Sequence, residues 1–318
     1  MTGLAPSTGG SAYTQLGPDV IGAPQFDRRC VVMIGEEPRA GDLSVPRGWQ
    51  PILIVNEFGN DLRVKFKLLK PWAQPLAISE VLIWNLSADQ RAKIEGKTRV
   101  PVRVMAGYGS SLRLVGTITG TQCSSEYQAS GDVVTKIEGF NGGPRLLKNA
   151  EINLGPGTSY ATAVTQMASQ VGALGSSATK ILREASAGRT YQFGYYSTGR
   201  LIDELDLAIR DLGLEWSVVD DEVVITKIDG TTTDTFIISP ESGLIGSPVP
   251  DSPPAPGKLR FIRAKSLLNP TFRPGSLVEL RSAIHAGFYK CWDVAHDGDT
   301  WATDWYSSLQ LRATRGAR

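Results

Sequence analysis

Histidine and cysteine are scarce in this chain of 318 residues, with two of the first and three of the second. Cys30, Cys123 and Cys291 are far apart and odd in number, which fits buried free thiols made in a reducing compartment better than a disulfide framework or a zinc ligand set. With only His285 and His296 available, the HExxH pattern cannot occur, and GxSxG, CxxC and the phosphate-cradling GxxxxGK[ST] are missing too. Charge of one sign is also lacking. Lys and Arg number 33 against 32 Asp and Glu, so a net charge of +1 supplies no global field to attract nucleic acid or anionic lipid. Aliphatic runs such as 52–55 and 81–84 fall far short of the roughly 20 apolar residues of a spanning helix. The first residues carry neither a basic nor an apolar signal region, so no secretory signal is expected and the sequon at Asn85 is expected to be silent.

What the chain does have is turn formers and aromatic anchors, with 34 Gly, 19 Pro and seven Trp. Leu62, Val64, Phe66 and Leu68 alternate with Arg63, Lys65 and Lys67, the pattern of a strand with one buried face and one wet, basic face. Similar runs at 30–34, 51–56, 76–83, 100–106, 112–119 and 132–137 predict a barrel or sandwich over residues 28–146. A short helix interrupts it at 88–94, announced by Ser87 and Gln90 in capping-box spacing. Residues 147–238 then read as a small α+β unit. One helix follows Thr158 or Ser159, and a second, after Thr198, carries an apolar stripe of Leu201, Ile202, Leu205, Ala208, Ile209 and Leu212. Asp203, Glu204 and Arg210 lie off that stripe. A hairpin of 216–219 and 223–226, joined by Asp220, Asp221 and Glu222, closes the unit. The Pro- and Gly-rich stretch 239–257 predicts a linker without regular structure, and β patterning returns in 258–318. Residues 1–27 form a separate N-terminal arm.

The two β regions echo each other weakly. Val102 and Val104 precede Gly116, with Asp132 opening the next strand; Val278 and Leu280 precede Gly287, with Asp304 in the corresponding place. The one constellation with chemical potential is Asp293, His296, Asp297, Asp299 and Asp304, since carboxylates around a histidine can hold a divalent metal. The bland reading of His296 to Thr300 is a polar turn joining two strands. Arg63, Lys65 and Lys67 likewise fit either a phosphate-facing patch or a solvated strand face, and without stacking aromatics between them the solvated face is expected. Trp292, Trp301 and Trp305 fit an interface anchor or a core filling.

The C-terminal run from Lys265 through Asn269-Pro-Thr-Phe-Arg-Pro-Gly-Ser to Leu280, followed by Gly287-Phe-Tyr and His296-Asp-Gly-Asp-Thr-Trp-Ala-Thr-Asp-Trp-Tyr, resembles the baseplate hub proteins of long-tailed bacteriophages. Leu244-Ile-Gly-Ser-Pro-Val-Pro, Ile83-Trp-Asn-Leu-Ser, Val100-Pro-Val-Arg-Val-Met-Ala-Gly-Tyr and Leu114-Val-Gly-Thr-Ile fit as well, so the likeness runs from about residue 28 onward. The resemblance implies a mainly β fold with a small α+β middle domain and two tube-like β-barrel or sandwich domains in one chain. It further implies a structural protein and not an enzyme, without cofactor, metal or catalytic residues. Such a hub is a homotrimeric ring joining the sixfold tail tube protein to a threefold central spike or tip protein. It touches other baseplate proteins, and phage DNA passes through its lumen unread. Its expected place is the virion tail baseplate, after synthesis in the host bacterial cytoplasm. Arg63, Lys65 and Lys67 are then lumen or partner candidates, and Trp292, Trp301 and Trp305 interface candidates. The alternative is a metal-dependent cell-wall hydrolase using Asp293, His296 and Asp299.

Overall fold

A computed structural model describes residues 27–35, 52–57, 62–72, 76–141, 143–251 and 261–314. All but the last residue of the expected arm lie outside the described residues, as do 252–260 of the Pro-rich stretch and its continuation.

Period-two burial builds the first β unit. Its elements are β1 (Arg28–Ile34), β2 (Ile52–Glu57), β3 (Val64–Pro71), β4 (Ile78–Trp84), α1 (Ala88–Ile94), β5 (Val100–Tyr108), β6 (Ser111–Tyr127) and β7 (Val133–Phe140). In β3 Val64, Phe66 and Leu68 are buried while Lys65 and Lys67 point the other way. Ser87 caps α1 as expected: its Oγ accepts the Gln90 N–H at 3.2 Å, and Gln90 Oε1 accepts the Ser87 N–H at 3.2 Å. The strands lie in the order β3-β4-β7-β6-β5-β1-β2, all antiparallel, over a core that includes Val32, Phe66, Val81, Val104 and Ile137.

The middle unit holds α2 (Gly143–Leu146), β8 (Asn153–Leu154), β9 (Thr158–Ser159), α3 (Tyr160–Val171), β10 (Ala173–Leu174), α4 (Ser176–Ala185), β11 (Thr190–Tyr191), β12 (Tyr195–Tyr196), α5 (Leu201–Asp211), β13 (Leu214–Val219) and β14 (Glu222–Lys227). Ser159 caps α3, and Asp220 and Asp221 both adopt positive φ, the geometry of a tight two-residue hairpin turn. The sequence does not announce α4, because no side chain caps it and only Ala178 and Leu182 of its residues are buried. Glu204, expected on the outer side of α5, is buried instead. Its carboxylate accepts the N–H groups of Thr198 and Gly199 at 2.9 and 2.8 Å, together with the Tyr195 hydroxyl, and so stabilises the chain entering the helix.

The second β unit corrects two expectations. Its elements are β15 (Thr235–Ile238), a 3-10 turn at Pro240–Ser242, β16 (Leu244–Pro250), β17 (Phe261–Leu267), β18 (Leu277–Leu280), β19 (Gly287–Asp299) and β20 (Trp305–Ala313). The stretch expected to be a linker therefore supplies a strand. Prolines 248 and 250 are tolerated because β16 is an edge strand, paired only with β17 among the described residues. The run expected to be a turn at 296–300 is the end of β19, and the chain reverses only after Asp299. Its Gly298 faces Phe66 across the sheet, and a Cβ there would overlap the Phe66 ring, so the glycine serves close packing within a strand.

The two β units share one strand order. The first reads β3-β4-β7-β6-β5-β1 and the second β16-β17-β20-β19-β18-β15, element for element in chain order once β2 is set aside. The sequence echo is a correspondence of register: Val102 and Val104 face Ile118 and Gly116, as Val278 and Leu280 face Tyr289 and Gly287. Bulges fall at matching places, with Thr121 the extra residue in β6 and Trp292 in β19. Even the cross-strand bond beyond the bulge recurs: Ser125 Oγ lies 3.0 Å from Thr135 Oγ1, and His296 Nδ1 lies 2.9 Å from Ser307 Oγ. The units differ in one pairing, β1 with β5 being antiparallel and β15 with β18 parallel. β3 pairs with the far half of β19, which joins both units into one sheet.

Gly298→Ala is expected to lower unfolding stability by about 1–3 kcal/mol in urea titration, and Phe66→Leu in the same chain to restore part of the loss.

Candidate interaction surfaces

On the face of the sheet away from the core, directly opposed residues form a polar row. Gln122 faces Glu138, Glu138 faces Glu80, Glu80 faces Lys67, and Lys67 faces Asp297 across five strands. Lys136, one position along, lies 2.8 Å from Glu138 and 3.8 Å from Glu80. Lys65 stands 4.0 Å from Asp304. The basic face read from β3 alone is thus interleaved with acids from both neighbouring strands, and the surface is of mixed charge. Arg63 is committed elsewhere. Its guanidinium donates to both oxygens of buried Asp299 at 3.1 and 2.7 Å and stacks on Trp84 at 4.4 Å.

The acidic residues around His296 do not converge. His296 is fully buried, and burial together with the nearby Lys70 cation pushes its pKa well below the ordinary imidazole value. Asp293 accepts the Trp72 N–H at 2.9 Å, and burial raises its pKa. Burial also acts upward on Asp299, but the bonds from Arg63 and the N–H groups of Trp301 and Ala302 outweigh it and hold the carboxyl below its usual range. No group of three His, Cys, Asp or Glu among the described residues could hold a metal ion. Asp293, His296 and Asp299, the residues of the hydrolase alternative, are thus held by separate partners: the Trp72 N–H, Ser307 and Arg63.

The three tryptophans separate. Trp305 is core, packed edge-on against Phe66 at 5.9 Å in the first unit's cluster, although its strand belongs mostly to the second. Trp301 is 70% exposed at the end of the β19–β20 hairpin. Trp292, the bulge residue, lies half-buried between Phe261 and Arg312, beside Trp72, Val219 and Val224, where the middle unit meets the sheet.

That junction was not read from the sequence. Lys290, wholly buried on β19, donates to Glu215 Oε2 at 2.8 Å and Thr226 Oγ1 at 3.0 Å and lies 4.1 Å from the Trp72 ring. Trp72 Nε1 and Arg312 converge on the same Glu215. Lys70 donates to Asp220 at 2.6 Å, Thr117 Oγ1 to Asp221 at 3.2 Å, and Arg273 to Glu222 at 2.5 Å. One signal was present: Lys70 is in phase with Val64, Phe66 and Leu68, a cation at a core position. Desolvation pushes the Lys290 pKa down to about 8, against the opposing pull of Glu215.

Because folding disfavours the Lys290 charge, the unfolded chain binds more protons between about pH 8 and the ordinary lysine value near 10.5. Its contribution to stability should therefore rise with pH across that window. Comparing urea unfolding of wild type and Lys290→Met at pH 8 and pH 10 checks this; the stability difference between the two proteins should shift in favour of wild type at the higher pH.

No family model matches the sequence, and no curated protein does. Solved structures do resemble the fold. The 43 kDa tail protein of prophage MuSo2 from Shewanella oneidensis superposes with a TM-score of 0.59 at 7% identity, over 89% of this chain and 96% of that one. The tail protein from Neisseria meningitidis MC58 gives 0.55 at 10% identity, over 91% of this chain and 97% of that one. At such identities the likeness is one of fold. Two β units of one strand order around an α+β unit, matched along nearly the whole of both tail proteins, give this chain a phage tail-protein fold.

Proposed function

We propose that the chain is a structural hub of a phage tail baseplate, a homotrimer that adapts a sixfold tail tube to a threefold central spike and lets DNA pass at ejection. The observation that carries this reading is the repeated strand order. Two similar β units per chain become six around a threefold axis, so one protein can offer a quasi-sixfold surface on one side and remain threefold on the other. The tail-protein fold supports the same setting.

The polar face with Lys65 and Lys67 suits a lumen wall. A surface of alternating charge holds no strong positive field, so a polyanion slides past it without being retained. The middle unit, pinned to the sheet by buried ion pairs, would stand away from that wall towards the spike or other baseplate proteins. The domain division proposed with it is a first tube-like unit, the α+β unit, and a second tube-like unit that begins with β15, a segment that the sequence pattern alone assigns to the α+β unit.

Light scattering of the purified full chain, alone and mixed with its candidate tube and spike proteins, tests the reading. A mass three times the 34.3 kDa of one chain is expected. A monomer indifferent to both proteins would overturn it.

A further inference from the structure

The chain makes a joint once within itself that it leaves open once. β19 pairs with β20 along one edge; along the other it pairs first with β18 and then, beyond the bulge, with β3. β6, its counterpart, pairs with β7 along one edge and with β5 only as far as Gly120 on the other. Among the described residues nothing pairs with that edge from Thr121 to Tyr127. The counterpart of β3 is β16, whose outer edge is likewise unpaired among the described residues.

We propose that β16 of one copy pairs antiparallel with the far half of β6 of the next, as β3 pairs with β19 inside the chain. This deepens the trimeric reading and rests on it, supplying the seam that joins copies head to tail. The hydrogen-bonding groups fit. Gln128 donates its N–H to Asp132 across the β6–β7 turn, so by period two the N–H groups of Cys123, Ser125 and Tyr127 face the open edge. Asp251 donates to Phe261 on β17, so Val249 faces β17 and the nitrogens of Pro248 and Pro250 face outward, where proline has no hydrogen. At these positions β16 offers only carbonyls. Two such edges cannot ladder with each other, whereas β6 supplies the missing donors, so the contact is head to tail and not self-complementary.

Apolar surface lies on both sides of the open joint. Tyr127 is 80% exposed on β6, and Ile245 and Val249 are 40% and 55% exposed on β16. The register follows from the internal joint. Val249 faces Arg263 as Lys67 faces Glu80, and Arg263 and Glu80 occupy matching places through Gln310 and Glu138. Glu126 matches Asp297, the residue opposite Lys67. Val249 should therefore lie opposite Glu126 of the neighbour. Within one chain six strands separate the two, so they cannot meet there.

The test is a cross-link. Glu126→Cys and Val249→Cys are placed in a Cys123→Ser chain, since directly opposed strand residues approach closely enough for a disulfide. After mild oxidation, a non-reducing gel should show covalent dimer and trimer from the double variant and neither from each single variant. Ser125→Pro, which removes one outward N–H, should shift light scattering towards the monomer, and Ser125→Ala, which keeps it, should not. A trimer that forms no cross-link would overturn the seam and leave the hub reading standing. A monomer in both assays would overturn the hub reading and the seam with it.

Discussion

The β19–β20 hairpin belongs to two cores at once, and the rest of the molecule is arranged around that constraint. Near the hairpin's turn, Gly298 and Trp305 pack on Phe66 in the first unit; at its other end, Cys291, Leu309 and Leu311 fill the second. A strand can serve both only if it changes partner along its length, from β18 to β3, and bends as it does so. The extra residue Trp292 provides the bend. Because the ladder continues across the change, the units cannot rotate against each other without breaking backbone hydrogen bonds. The rigidity of the paired units is built into one sheet.

The same bulge explains why the middle unit docks where it does. Turning the strand there brings Trp292 beside Trp72 and sets Lys290 against Glu215. A buried cation without a partner would be prohibitive, so the β13–β14 hairpin must arrive with its carboxylates in place. Lys70 with Asp220 and Arg273 with Glu222 repeat the arrangement around the hairpin's tip. Such pairs add little net stability over apolar packing, but they accept one orientation only, which fixes how the middle unit projects.

Duplication accounts for features that look odd singly. His296 is a buried imidazole flanked in sequence by Asp293, Asp297 and Asp299, yet its place in the first unit is taken by Ser125, bonded across the strands to Thr135 as His296 is to Ser307. The position asks for a polar cross-strand partner, and either side chain provides it.

Alternation in β3, the capping box at Ser87, the stripe on α5 and the echo around Gly116 and Gly287 were legible in the sequence, because each depends on residues close along the chain or on a fixed period. So were the mainly β class and the double β architecture. The identity of 244–250 as a strand, of 296–299 as strand and not turn, and of Glu204 as a buried cap was not. Each depends on the surroundings set by residues distant in sequence: the side of β16 that is unpaired among the described residues and spares its prolines a partner, the Phe66 ring that needs Gly298, the two N–H groups that hold Glu204. The charge of the sheet face was hidden for the same reason. Local pattern determines which elements form and which side each buries, while long-range pairing decides which strand lies beside which, and with it whether Lys67 faces water or an aspartate.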